Sequence, residues 1–233
     1  VVASSEPLVL SGELPLHGEA TSDPLRLVSS RIVFAENPLP FYRSGRAAGE
    51  VAAPDGRRPG LDLRVEGTLF SPVLSGTVHL RKTDIRLPDE EGRFQPRSVE
   101  GMISPSFRVA FAVGDQVRIS AGQLSARVTT SDLLPIVVHG TLASPRLSGT
   151  LAIESGTLQF PTVRFAIVPG GQIALRYPAY TAAQASDPGL AVLVRLSARG
   201  RMTAQSVTRE MKAYTITVDA RGPVNTARPL AIQ

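Results

Sequence analysis

Apolar and polar residues alternate with a period of two through most of this 233-residue chain. Phe107, Val109 and Phe111 share one face of such a stretch, and the residues between them fall on the other face. Successive side chains of a β-strand point to opposite faces of a sheet, so this period predicts strands with one apolar and one polar face. The same alternation covers residues 61–66, 163–167, 173–177, 192–198 and 214–219.

Glycine and proline separate these stretches and leave little room for helices. The chain has 20 Gly and 19 Pro, and few segments between them could hold three helical turns. Residues 182–185 and 206–212 are the better helical candidates, and neither carries a convincing apolar stripe. We therefore predict an all-β fold with few or no helices. Its apolar face must be covered by a second sheet, by the same sheet curving over itself, or by a ligand or lipid.

One segment occurs twice at a fixed offset of 73 residues. Residues 67–88 and 140–161 share the pattern G-T-L-x-S-P-x-L-S-G-T and are identical at ten of 22 positions. Proline interrupts a ladder because it lacks an N–H, and glycine then allows tight backbone geometry where the next strand starts. A weaker third copy begins at Leu10. Such a unit buries its apolar face by stacking on its neighbours, which favours an elongated repetitive architecture over a closed sandwich.

Charge and cysteine content narrow the classes of function. The chain has 25 basic and 20 acidic residues, and its basic residues are spread out without interleaved aromatics, so we do not expect nucleic-acid binding. The absence of cysteine excludes disulfides and thiolate metal sites. No apolar run approaches 18 residues, and the chain does not begin with Met. We expect it to be a fragment of a longer protein whose membrane anchor lies outside it.

The chain offers no arrangement typical of a catalytic or metal site. His17, His79 and His139 are far apart in sequence and have no cysteine to complement them. The acidic turn at 89–92 lacks the alternating ligands of a calcium loop. The Pro-Gly-Gly turn at 169–171 could form an anion nest, but its position between two strands predicts a hairpin. With no G-x-S-x-G motif either, we predict no enzyme activity, no metal and no cofactor.

The C-terminal part carries the motifs of a known family. From Val137 it reads V-V-H-G-T-L-A-S-P-R-L-S-G-T-L-A-I-E-S-G-T-L-Q-F-P, then F-A-I-V-P-G-G-Q-I-A-L, D-P-G-L-A-V-L-V-R-L-S-A and Y-T-I-T-V-D-A-R-G. This order of glycine-led steps and strands resembles the C-terminal domain of the TamB family, the AsmA-like envelope proteins of diderm bacteria. The matching positions are Gly140, Pro145, Leu147, Gly149, Gly156, Phe165, Gly171, Asp187, Pro188, Leu190, Tyr214 and Gly222.

The resemblance covers roughly residues 130–233, and the earlier half matches as further repeat material. Two departures occur. The family pattern continues past its last glycine into another strand, whereas this chain ends at Gln233. Residues 206–212 form an unusually polar insert in the last strand pair.

The resemblance implies both an architecture and a role. Family members form elongated, curved, antiparallel or mixed sheets folded into an open apolar-lined trough, a β-taco. The trough spans the periplasm from an inner-membrane anchor toward an outer-membrane barrel of the Omp85 type. Members are implicated in assembling outer-membrane proteins and in moving phospholipid between the membranes. We accordingly expect residues 1–130 to form a β-rich repeat region and residues 131–233 to form the TamB C-terminal-type β-domain, continuous with the first.

The resemblance makes the alternating aliphatic residues of the C-terminal half the candidate lining of the trough. In this hypothesis they shield the acyl chains of phospholipids and have no chemical role. The lining comprises Leu147, Leu151, Ile153, Val163, Phe165, Ile167, Ile173, Leu175, Val192, Val194, Leu196, Tyr214, Ile216 and Val218. The alternative is a β-solenoid stalk or adhesin that binds glycans or protein partners. The presence of only two asparagines and no Trp favours the trough.

Overall fold

The computed structural model describes residues 2–3, 6–17, 23–39, 42–87, 105–130, 135–141, 144–160, 163–177, 191–205, 211–223 and 231–232. Those residues contain no helix, and their strands join in one mixed sheet of seventeen strands. The strands are β1 (Val2–Ala3), β2 (Val9–Ser11), β3 (Leu25–Ser29), β4 (Arg31–Leu39), β5 (Tyr42–Ala52), β6 (Leu61–Gly67), β7 (Pro72–Leu87), β8 (Ser106–Val113), β9 (Val117–Ala121), β10 (Leu124–Thr129), β11 (Ile136–Thr141), β12 (Pro145–Gln159), β13 (Arg164–Ile167), β14 (Gly171–Tyr177), β15 (Ala191–Gln205), β16 (Met211–Pro223) and β17 (Ala231–Ile232). The predicted all-β fold class is confirmed.

The short polar segments predicted as helical candidates are not helical where they are described. Met211 opens β16, and residues 182–185 and 206–210 lie outside the described residues. The weak third copy of the repeat contributes only Leu10 and Ser11 to β2, which ends before Gly12, a residue with a φ of 100°. The predicted division between residues 130 and 131 stays a prediction.

The long strands pair with different neighbours along their two halves. The first half of β7 lies between β6 and β8, whereas its second half lies between β5 and β9. In the same way, β12 lies first between β11 and β14 and then between β10 and β13. The sheet therefore has two rows of strands that share its long strands. Row one contains β2, β3, β6, β8, β11 and β14; row two contains β1, β4, β5, β9, β10 and β13.

The pairings are antiparallel except where β8 and β9 run parallel to β7. A parallel neighbour needs a connection of a dozen residues or more, because the chain must return to the end at which it started. The chain between Leu87 and Ser106 is long enough for that return. β8 and β9 are in turn the antiparallel partners of β11 and β10, so the two copies of the repeat belong to one continuous sheet.

The two rows meet along one line of turns. The N–H of Gly114, in the β8–β9 turn, donates to the carbonyl of Leu80 at 2.9 Å. The N–H of Thr130, at the end of β10, donates to the carbonyl of Val113 at 2.9 Å. Gln116 has a φ of 60°, which reverses the chain within this turn. These bonds connect the β8–β9 turn to the middle of β7 and to the end of β10. The line along which strands pass from one row to the other is called here the seam.

Both copies of the repeat begin with the same hairpin. Gly67 and Gly140 have φ angles of 85° and 108°, in the region that favours glycine. The N–H of Ser71 donates to the carbonyl of the threonine three residues earlier at 3.1 Å, and that of Ser144 does so at 3.2 Å. Each glycine lies opposite the proline that opens the next strand. The sequence repeat is therefore a structural repeat.

A β-bulge at nearly the same place in each copy keeps the apolar side chains on one face. Val78 and Ile85 on β7 are seven residues apart, as are Leu151 and Leu158 on β12. An odd separation would place the members of each pair on opposite faces of a regular strand. One extra residue removes that conflict: the register of β7 shifts against β5 near Lys82, which has a φ of 43°, and the register of β12 shifts against β10.

Candidate functional site

One apolar face crosses the sheet from the N-terminal to the C-terminal half. Leu61 on β6 lies opposite Val78 on β7, and Val78 lies opposite Phe111 on β8. Phe111 then lies opposite Ile136 on β11. Side chains in directly opposite positions share a face and contact each other. The two copies of the repeat therefore contribute to one continuous apolar surface.

The C-terminal part of this face is fully covered and is called here the C-terminal core. Its members come from β8 to β16 and are at most 8% exposed. They are Val113, Val117, Ile119, Leu124, Ala126, Val128, Ile136, Leu151, Ile153, Leu158, Phe165, Ile167, Ile173, Val192, Val194, Leu196, Ala198, Val218 and Ala220. Strands of both rows supply these side chains, so the rows pack their apolar sides into one cluster.

The structure brings together thirteen of the fourteen predicted lining residues. Nine belong to the C-terminal core, namely Leu151, Ile153, Phe165, Ile167, Ile173, Val192, Val194, Leu196 and Val218. Four are partly buried against it, namely Leu147, Val163, Leu175 and Ile216. Tyr214 differs, because it lies beyond the core on β16, opposite Met202, and is 46% exposed.

Burial of the core limits what these residues can contact. Ile173 has no exposed surface, and Leu151 is 1% exposed. Side chains covered this completely are packed by the protein itself and leave no room for an acyl chain in this conformation. Their role as a lipid lining stays a prediction, and it requires the two rows to separate.

A second cluster occupies the N-terminal half and is called here the N-terminal cluster. Its buried members are Val51, Leu61, Val78 and Val109. Its other members are only partly buried, namely Leu27, Ile32, Phe34, Leu63, Leu74, Leu80, Phe107 and Phe111. Leu80 and Phe111 also pack against the C-terminal core, so the two clusters touch. Here the apolar face is exposed in part, which makes it the accessible section of the surface.

The exposed apolar surface continues onto β2 at the margin of row one. Leu10 lies opposite Leu27 and is 62% exposed. Val9, the neighbour of Leu10 on β2, lies on the other face opposite Val28 and is 52% exposed. Leu10 therefore extends the incompletely covered face by one exposed apolar side chain.

Sequence reasoning placed the lining in the C-terminal half and missed the N-terminal cluster. The signal was present, because Leu61, Leu63 and Phe107 alternate with polar residues as regularly as the C-terminal strands do. Alternation identifies the apolar face of a strand, whereas the extent to which other strands cover it depends on the pairing across the sheet.

The N-terminal half also contains a buried carboxylate. Glu50 on β5 is 5% exposed; it accepts a hydrogen bond from Arg31 Nε at 2.9 Å and forms an ion pair with Lys82 Nζ at 3.4 Å. Burial alone would raise the pKa of Glu50, but hydrogen bonds and charge from Arg31 and Lys82 outweigh it and lower that pKa. Lys82 lies at the bulge of β7, so this network ties β4 and β5 to the seam.

The histidines and acidic residues do not form a metal site within the described part of the chain. No group of three metal-binding side chains occurs there. The ring of His17 stacks on that of Phe70, with centroids 5.0 Å apart. The acidic turn at 89–92 lies outside the described residues. None of the described segments forms a helix suited to crossing a membrane.

Comparison with known proteins gives one match. The sequence profile of the TamB C-terminal domain matches residues 4–228, which is nearly the whole chain. The match thus includes residues 4–130, which the motifs alone relate to the family only as repeat material. No curated protein and no solved structure matches the chain.

Proposed function

The chain belongs to the TamB family of non-enzymatic bacterial envelope proteins, and we propose on that premise that its bent sheet shields phospholipid acyl chains between two membranes. The family's role in envelope and outer-membrane assembly supports this assignment. The observation that carries the proposal is the continuous apolar face, which is exposed in part at the N-terminal cluster. An acyl chain lying there would gain about 0.8 kcal/mol for each methylene that it buries.

The seam between the two rows supports a trough. Strands on both sides of the seam direct apolar side chains toward one cluster, which requires the sheet to bend along that line. In the C-terminal half the two sides meet and exclude solvent. In the N-terminal half the apolar side chains of the N-terminal cluster are only partly buried, which leaves apolar surface that a chain-like ligand could cover. The predicted C-terminal lining would then engage cargo only after the two sides separate.

The remaining parts of the proposal concern partners and location. An Omp85-type outer-membrane barrel protein is the partner expected for a domain of this family. The site of action is the periplasm of a diderm bacterium, with an inner-membrane anchor outside residues 1–233. Among the described residues β2 pairs with β3 alone, and a strand at the edge of a sheet pairs readily with other chains.

Native mass spectrometry of the purified chain tests the lipid proposal. Leu63→Glu places a carboxylate on the partly exposed apolar face, so the bound lipid should fall several-fold. Arg64→Glu is the matched control, because it introduces the same side chain on the same strand at an exposed position on the other face. Retained lipid in Leu63→Glu, or an equal loss in both variants while circular dichroism shows an intact sheet, would overturn the proposal.

A further inference from the structure

Three polar side chains form a row on the outer face of the C-terminal strands. Gln172 on β14 lies opposite Arg195 on β15, and Arg195 lies opposite Arg221 on β16. Arg195 alternates with the buried residues Val194 and Leu196. The row therefore lies on the face of the sheet away from the C-terminal core.

This row lines an open cavity of about 450 Å³. The β13–β14 turn, residues Val168–Gly171, closes one side of it, and Ser197 and Asp219 lie beside the two arginines. Three strands and a turn at the seam thus form the cavity. Two guanidinium groups and one side-chain amide supply hydrogen-bond donors to it.

The two arginines have no ion-pair partner among the residues that the structure describes. Within that part of the chain, neither guanidinium group takes part in an ion pair or a side-chain hydrogen bond, although both backbones are paired in the sheet. Asp219 shares the cavity, but it accepts a hydrogen bond from the Ser197 hydroxyl and pairs with neither arginine. Like charges directly opposite each other on neighbouring strands are destabilising. An anion between them would offset that repulsion.

We propose that this cavity binds a phosphate-class oxyanion. Each guanidinium presents parallel N–H groups that match two oxygens of a phosphate, and the Gln172 amide adds a neutral donor. The Asp219 carboxylate opposes an anion, so it moderates the affinity of the site. The phosphate can be free or can belong to a lipid headgroup, because the recognised chemistry is the same. The proposal stands apart from the shielding of acyl chains, which concerns the opposite face of the sheet.

Titration of the full 233-residue chain with inorganic phosphate, followed by calorimetry at low ionic strength, tests the site. We expect saturable binding that the double variant Arg195→Gln/Arg221→Gln weakens by about tenfold or more. Asp219→Asn should tighten binding, because it removes the opposing charge. The matched control is Arg118→Gln/Arg127→Gln, a second pair of arginines directly opposite each other, on β9 and β10 and away from this cavity.

Flotation with vesicles distinguishes the two sources of phosphate. Binding to phosphatidylcholine vesicles that contain phosphatidylglycerol, lost in the Arg195/Arg221 variant alone, assigns the site to headgroups. Phosphate binding without flotation assigns it to free phosphate. Absence of saturable phosphate binding, equal weakening in the two arginine pairs, or unchanged affinity in the Arg195/Arg221 variant would overturn the proposal. These outcomes are independent of acyl-chain occupancy at the N-terminal cluster.

Discussion

Equivalent positions of the repeat are covered to different extents in the two halves of the molecule. Leu80 in the first copy is partly buried, whereas Ile153, 73 residues later, is 2% exposed. Ile85 is likewise partly buried, and its equivalent Leu158 has no exposed surface. The strands that carry these residues begin with the same hairpin and contain a bulge at nearly the same place. The sequence patterns of β7 and β12 therefore do not explain the difference in exposure.

The difference in exposure comes from the strands that extend the apolar face beyond each copy of the repeat. Beyond β12 the face extends over β13, β14 and the long hairpin of β15 and β16, which adds buried residues such as Val194, Leu196 and Val218. On the N-terminal side the face ends at β2, whose three residues are all exposed. The comparison shows how one repeat can form a closed core at one end of a sheet and an accessible apolar surface at the other.

The largest expected effect comes from truncating the two equivalent aliphatic residues. Ile153→Ala should lower the free energy of unfolding by about 2–5 kcal/mol, because it leaves a cavity in a fully packed core. Leu80→Ala should cost about 1–2 kcal/mol, because part of the side chain is already in contact with water. Urea unfolding of both variants measures the two values. Equal losses would mean that the N-terminal cluster is as fully covered in solution as the C-terminal core.

Substitution of the hairpin glycines should give the next largest loss of stability. It tests whether the hairpins that open the two copies of the repeat are equally constrained. Gly67→Ala and Gly140→Ala should each cost about 1–3 kcal/mol, since an L side chain is strained at these φ angles. The added Cβ would also lie 2.6 Å from the carbonyl oxygen of Ser71, or 2.4 Å from that of Ser144.

Gly56→Ala is the control for the glycine variants. Its φ is 61°, and no atom lies within 4 Å of the added Cβ, so it carries the backbone cost without the clash. The same urea experiment should place it below the other two. If Gly67→Ala lowered the free energy of unfolding as little as Gly56→Ala, the first hairpin would be less tightly packed than the second. That result would increase the contrast between the two halves of the molecule.

The sequence predicted the repeating unit well because its determinants are local. Glycine at φ angles of 85° and 108° and the proline that opens each strand act within a few residues, so the identical letters at the offset of 73 give both copies the same glycine conformation and the same pairing of glycine with proline. The bulges were not predicted. They appear only as an odd spacing between Val78 and Ile85 and between Leu151 and Leu158, and the alternation alone does not show where the extra residue lies.

The features of the site that the sequence did not predict depend on pairing between strands that are distant along the chain. Thirteen of the fourteen residues of the predicted lining lie in or against one packed cluster, and Tyr214 continues the alternation past the end of that cluster. Their role as a lining stays a prediction. Contacts across the seam determine in which half the apolar face is partly exposed. The row of Gln172, Arg195 and Arg221 likewise depends on the register of three strands, and nothing in the spacing of those residues along the chain indicates it.

The smallest expected effect concerns the charges that distinguish the N-terminal half. Because the pKa of Glu50 is lowered in the folded protein, its contribution to stability is fully present above the ordinary glutamate pKa of about 4.3. That contribution is lost as the pH falls through the lower, folded value. Glu50→Gln should cost about 1–2 kcal/mol at pH 7, a reduced figure because the Arg31 and Lys82 side chains are 45% and 55% exposed.

Urea unfolding of wild type and Glu50→Gln between pH 7 and pH 3 measures this contribution. The difference between the two proteins should be largest near neutrality and should shrink below about pH 4, because protonated Glu50 resembles the glutamine. Glu66→Gln, at an exposed position on β6 without an ion pair among the described residues, should leave stability unchanged at every pH. A difference that does not decrease between pH 7 and pH 3 would mean that the introduced amide disturbs the packing at the seam, and that the ion pairs do not hold the N-terminal half together.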